Sequence, residues 1–215
     1  VVSYFAVTTL VGSDWFGPFV SILSGLIVGV ALGQTSDYFT SGSYSPTKRV
    51  AKATQGGPAL TILTGFSMGY YSTFVPIIFI AVAEMVSFLT GGVYGVAISA
   101  VGMLSITGVI VAADAYGPIT DNAAGIAEQA KLPAEVRKIT DKLDSVGNTM
   151  KSICKGFAIG SAALTALALY AAYGLAAGVP TIDLTNSMVV IGTFLGGLVP
   201  FFVASSTMRA VGNAA

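Results

Sequence analysis

Apolar runs of membrane-spanning length alternate along this chain with short connections of two kinds, one almost free of charge and the other basic. In windows of about 20 residues, the helix length that crosses a hydrocarbon core, Val1 to Val11 is the tail of one helix and Phe16 to Gly33 is the first complete span. The same pattern predicts spans over 59–90, with Pro76 as a kink, over 93–113 and on to about 128, over 147–173, and over 188–204. The predicted fold class is all-α: a polytopic transmembrane helix bundle of five complete spans plus a partial one, with 1–215 forming a single transmembrane domain.

The connections orient this bundle. The Gly91-Gly92 turn carries no charge and the turn from Gly178 to Asn186 only Asp183, whereas the alternate connections hold Lys48, Arg49 and Lys52, then Lys131 to Lys155, then Arg209. Positive-inside bias places these basic loops in the cytoplasm. Small residues at four-residue spacing (Gly25, Gly29, Gly33; Gly156, Gly160; Gly192, Gly196) allow helix backbones to approach closely.

Composition agrees: 54% of residues are apolar, 9% are charged and the mean hydropathy is +0.81, far from the values of soluble domains. Ten acids balance ten bases, so bulk electrostatics attracts no nucleic acid. Cys154 is the one cysteine and histidine is absent, which excludes an intrachain disulfide and leaves a hard cation held by oxygen as the metal this chain suits. Val1 opens inside an apolar run with neither Met nor a basic leader, so a fragment of a longer chain is expected.

Polar chemistry concentrates between Asp114 and Lys155. Carboxylates at 114, 121 and 128 recur every seven residues, near one helix face, unless Gly117 and Pro118 disturb the register. Asp141, Asp144, Asn148, Lys151 and Lys155 follow steps of three and four, one polar stripe running into the apolar stretch Phe157 to Tyr173. Asp141 with Lys142 and Glu135 with Lys138 read as solvated helix surface. Asp121, Asn148 and Lys155 are costly where helices meet the bilayer, and phosphate with Mg2+ would suit them; inter-helix salt bridges explain the same pattern. Glu84 reads as a solvated or hydrogen-bonded acid, Asp14 and Asp37 as interfacial, and Tyr70, Tyr71, Phe74, Tyr170 and Tyr173 as interfacial anchors. The Gly-rich runs contain no GxxxxGK[ST] loop.

The motifs DAYGPITDNAAGIAE, LDSVGNT and KGFAIGSAALTALALYAAY, spanning Asp114 to Tyr173, closely resemble the membrane-integral pyrophosphatases, pumps that couple pyrophosphate hydrolysis to H+ or Na+ transport. Weaker resemblance extends through YFTSGSYSPTKRVA, AVGMLSITG and LVPFFVASSTMRAVGNAA. It implies a homodimer of sixteen-helix subunits in the bilayer, with an inner ring around a cytosolic hydrolytic site and an ion path, in a prokaryotic cell membrane or a vacuolar-type membrane. Asp121 and Asn148 would hold Mg2+ of the Mg-pyrophosphate complex, and Lys155 would contact phosphate. Asp114, one helix face below Asp121, reads equally as a link between hydrolysis and the ion path and as one end of a helix-to-helix hydrogen bond.

The resemblance also implies a cation preference. Members that need K+ have Ala three residues after the motif Asn, and K+-independent members have Lys, whose ammonium replaces the bound cation; this chain has Lys151. The companion position, Gly or Thr in the family, is Cys154 here. K+ independence and, with it, H+ rather than Na+ transport are expected. The family's acidic DVGADLVGK-type motif, the water-activating Asp residues and the ion gate do not occur in these 215 residues, so this stretch alone is expected to be inactive. A secondary transporter or channel with an intramembrane acidic pathway is the alternative reading, and a purely structural scaffold is a third that the polar stripe argues against.

Overall fold

The computed structural model describes residues 2–179 and 181–215, and among these it is helical with short turns and no strand. The helices are α1 (Val2–Val11), α2 (Phe16–Thr40), α3 (Ser45–Ala53), α4 (Pro58–Ser72), α5 (Phe74–Leu104), α6 (Thr107–Gln129), α7 (Ala134–Ala176) and α8 (Ser187–Ala214). Helix is what lipid demands, because each backbone N–H and C=O must find its partner inside the chain. Among the described residues four stretches are long and apolar enough to cross a membrane: Phe16–Gly56, Pro58–Leu104, Ala134–Ala176 and Ser187–Ala214. By contact the chain divides into two units, Val1–Leu169 and Tyr170–Ala215.

In the first unit α5 is a hairpin. Gly92 has φ 59° and ψ −151°, a conformation open to glycine alone, and it folds the arm 93–104 back along the arm 74–91 so that Gly95 rests on the carbonyl of Ser87. Both arms pack on α2 at backbone distance: a Cβ at Gly17 would overlap the carbonyl of Thr90, and one at Gly25 the carbonyl of Ser99. Contact this close brings hydroxyls together. Ser24 Oγ lies 2.8 Å from Ser87 Oγ and 3.3 Å from Ser99 Oγ, while Ser21 Oγ, which donates within α2 to the carbonyl of Gly17 at 2.9 Å, lies 3.5 Å from Thr90 Oγ1. Inter-helix bonds inside a bilayer contribute about 0.6 kcal/mol each.

The other half of α2 receives α7. Met103 and Phe157 side chains come within 3.2 and 3.3 Å of where a Cβ on Gly29 would stand, Gly156 meets Ser36, and Gly160 meets Leu32. Val28, Leu32, Ala83, Ala100, Met103, Phe157 and Leu164 form the core.

Two expected spans are interrupted. The stretch 59–90 is divided at Thr73, three residues before the expected kink: Pro76 has no N–H to offer the carbonyl of Ser72 and its ring crowds that group. The stretch from 93 to about 128 is divided between Leu104 and Thr107, where Ser105 Oγ donates to the carbonyl of Gly102 at 2.6 Å and competes with the helical ladder.

In the second unit, the end of α7 closes through Gly178 at φ 66°, with the amide of Val179 donating to the carbonyl of Gly174 at 2.9 Å, a left-handed glycine cap. Asp183 accepts from the Thr185 hydroxyl at 2.7 Å and its amide at 2.8 Å, and these bonds, the hydroxyl first, hold its carboxyl below the usual range. Asn186 then caps α8 by accepting from the amide of Met188 at 2.9 Å.

Gly25→Ala in the full-length parent is expected to destabilise by about 1–3 kcal/mol through overpacking, because the backbone of Ser99 cannot yield. Gly33→Ala, whose added methyl would stand 3.5 Å from Ile153, is expected to change the thermal midpoint little; thermal unfolding of the purified protein compares the two.

Candidate functional site

The polar residues singled out in the sequence lie on α6 and α7, an antiparallel pair joined by a tight turn. Lys131 takes φ 52°, and its amide donates to Glu128 O while that of Leu132 donates to Ala127 O, both at 3.0 Å, the two bonds of a Schellman cap with Lys where Gly is usual. α7 then begins after Pro133 with Glu135 in its first turn, a favourable sign of charge at a helix N-terminus.

Just beyond the turn, Arg137 joins the two helices. Its Nη1 donates to the carbonyl of Ala124 at 2.9 Å and to Glu128 Oε2 at 3.1 Å, and its Nη2 lies 3.1 Å from Asp141 Oδ1. Arg137 does not stand out in the sequence; its one local signal is the i, i+4 spacing to Asp141. A guanidinium can serve three acceptors at once because its donors form a fixed fork.

Further along, glycine brings the helices into backbone contact. Gly147 faces Thr120, and the stem of Lys151 lies across Gly117, where any Cβ would displace it. Lys151 Nζ consequently reaches Asp121 Oδ2 at 3.1 Å. Asn148, one turn earlier on α7, donates from Nδ2 to Asp144 Oδ2 at 3.2 Å. Cys154 is buried and its thiol donates to the carbonyl of Ile110 at 3.2 Å.

Below this level Asp114, Cys154 and Lys155 line a cavity of about 250 Å³ with Thr107 and Ser161. Lys155 also borders a cavity of about 340 Å³ on its other side, among Thr35, Ser36, Ser72, Thr73 and Ser152. The seven-residue register of Asp114, Asp121 and Glu128 survives Pro118, since Glu128 meets Arg137, Asp121 meets Lys151, and Asp114 shares a cavity with Cys154 and Lys155. Asp121 is therefore paired with Lys151 rather than with Asn148 or Lys155. Asn148, Lys151 and Lys155 follow one another within about two turns of α7.

Residues 1–215 match the family described as inorganic H+ pyrophosphatase. Among curated proteins, the chain is 50% identical over 205 residues to a putative K(+)-stimulated pyrophosphate-energized sodium pump of Clostridium tetani, covering 92% of this chain and 30% of that protein. It is 45% identical over 222 residues to a K(+)-insensitive pyrophosphate-energized proton pump of Methanosarcina mazei, covering 99% and 33%. A protein with the same description from Caldanaerobacter subterraneus subsp. tengcongensis is 40% identical over 214 residues, covering 91% and 30%. The chain spans about a third of the length of these curated relatives.

Arg137→Ala is expected to loosen the neck of the α6–α7 pair by about 1.5 kcal/mol, the low end of the range of charged hydrogen bonds, seen as roughly ten-fold faster amide exchange across 124–141. Arg137→Lys should not restore protection, because an ammonium cannot span three acceptors set by a planar fork.

Proposed function

Because this chain belongs to the inorganic H+ pyrophosphatase family, we propose that its full-length parent is a membrane-bound inorganic pyrophosphatase that couples hydrolysis of Mg-pyrophosphate to ion transport. The α6–α7 pair contributes part of the hydrolytic site: Asp121 and Asn148 face Mg2+, Lys155 meets phosphate, Lys151 stands in for a bound K+, and Asp114 links hydrolysis to the ion path. The parent works as a homodimer in the bilayer, and the transported ion is H+.

The donor chemistry supports this assignment. Among the described residues no three of His, Cys, Asp and Glu group closely enough to hold a metal by themselves. Mg2+ does not require that, since it commonly takes one or two protein oxygens and completes its shell with water and substrate phosphate. Carboxylate and amide oxygens at Asp121 and Asn148 fit that pattern, and Mg2+ arriving with pyrophosphate would neutralise charge on the phosphoryl oxygens.

The chain's own residues then have distinct tasks. Lys151 occupies one oxygen of Asp121, at 3.1 Å, and so fixes the carboxylate with its other oxygen free. Lys155 carries no ion pair among the described residues, which leaves its ammonium available to an anion. It lines one cavity with Asp114, so a phosphate that attracts Lys155 changes the field at Asp114, the electrostatic basis for coupling.

The single observation that carries the cation assignment is the Lys151–Asp121 pair. Among the relatives, those named K(+)-insensitive are proton pumps and those named K(+)-stimulated are putative sodium pumps. Identity alone does not choose between the two, because the 50% relative carries the second description and the 45% relative the first. A fixed ammonium beside Asp121 favours the first.

Phosphate release by the parent in membranes is expected to be the same in K+-free and K+-containing buffer, and Lys151→Ala is expected to make it K+-stimulated. Strong K+ stimulation of the unmodified protein would remove Lys151 from this role, and Mg-pyrophosphate hydrolysis absent from both buffers would remove the pump assignment.

A further inference from the structure

Asp144, Gly147, Lys151 and Cys154 follow one another by three, four and three residues and so share a face of α7. That face looks onto α6: Gly147 meets Thr120, Lys151 meets Gly117 and Asp121, and Cys154 meets Ile110. Asp144 lies at its end and is half-buried. Its Oδ2 accepts from Asn148 Nδ2 at 3.2 Å, and its Oδ1 is buried without a hydrogen-bond partner.

Both facts bear on Asn148. A carboxylate only accepts hydrogen bonds, so the amide must turn its NH2 toward Asp144 and present its carbonyl oxygen elsewhere. That oxygen is the atom a hard cation takes, and Asn148 is exposed. An i, i+4 bond contributes little to a helix, whereas burying a carboxylate oxygen with no donor costs more than such a bond returns. Helix stability therefore does not account for an acid at this position.

We propose that Asp144 is a positioning residue of the Mg-pyrophosphate site: Oδ2 locks the Asn148 amide with its oxygen turned to the cation. This rests on the placement of Asn148 at that site. Asn at 144 keeps the size of the side chain but can donate as well as accept, so the Asn148 amide is free to turn over.

The test uses the full-length parent in detergent without pyrophosphate, with Mn2+ as the probe and free Mn2+ measured by electron paramagnetic resonance, in Asp144→Asn, Asn148→Ala and the double variant. Loss of a group that orients a metal ligand typically weakens binding 10- to 100-fold. About ten-fold weaker Mn2+ binding is expected in each single variant, and the double variant should be no weaker than Asn148→Ala alone. Binding unchanged in Asp144→Asn but weakened in Asn148→Ala overturns the role of Asp144 and leaves the site reading intact. Two effects that simply add in the double variant also overturn it, because Asp144 would then act independently of Asn148. Binding unchanged in Asn148→Ala overturns the cation assignment itself, and this inference with it.

Discussion

The stem of Lys151 crosses α6 at Gly117, and the arrangement of the whole α6–α7 pair depends on there being no side chain at that position. A lysine reaches about as far as its four methylenes allow, and here they lie flat on backbone before the ammonium meets Asp121 at 3.1 Å. Gly147 against Thr120 keeps the helices equally close on the neighbouring turn. A charged pair at the edge of a bilayer is a poor source of stability by itself. Its value is geometric: it fixes one carboxylate and holds the ammonium against α6.

That geometry needs a rigid frame. α2 provides it by packing both arms of α5 at one end and α7 at the other, each time through glycine or serine. The contacts with α5 are backbone against backbone, and the hydroxyls of Ser24, Ser87 and Ser99 find partners there. Lipid offers no hydrophobic drive for helices to associate, so packing and hydrogen bonds must hold them. At the far end of α6–α7, Arg137 bonds Ala124, Glu128 and Asp141 and sets the register in which Asp121 finds Lys151.

Much of this was legible in the residues alone. Apolar periodicity and the placement of Lys and Arg led to the helical membrane bundle, and the motifs around Asp121 and Asn148 led to the pyrophosphatase family. The helix breaks were less legible, because a proline acts on the carbonyl four residues before it, and hydropathy does not register a serine such as Ser105 that bonds its own helix. Arg137 was hidden for a different reason. Its partners at Ala124 and Glu128 belong to another helix, and one of them is a carbonyl that no side-chain pattern marks. Asp144 was visible as part of a stripe, but which way its two oxygens point follows only from the packing of α7 on α6.

Gly117→Ala in the full-length parent tests the central claim most directly, because it alters neither charge nor ligand and acts only by displacing the Lys151 stem. Phosphate release from Mg-pyrophosphate would be measured as K+ is titrated into K+-free buffer. If the seat of Lys151 on Gly117 places the ammonium that replaces K+, activity falls without K+ and recovers as K+ is added. Activity that is the same in both buffers, whether full or lost, would contradict it.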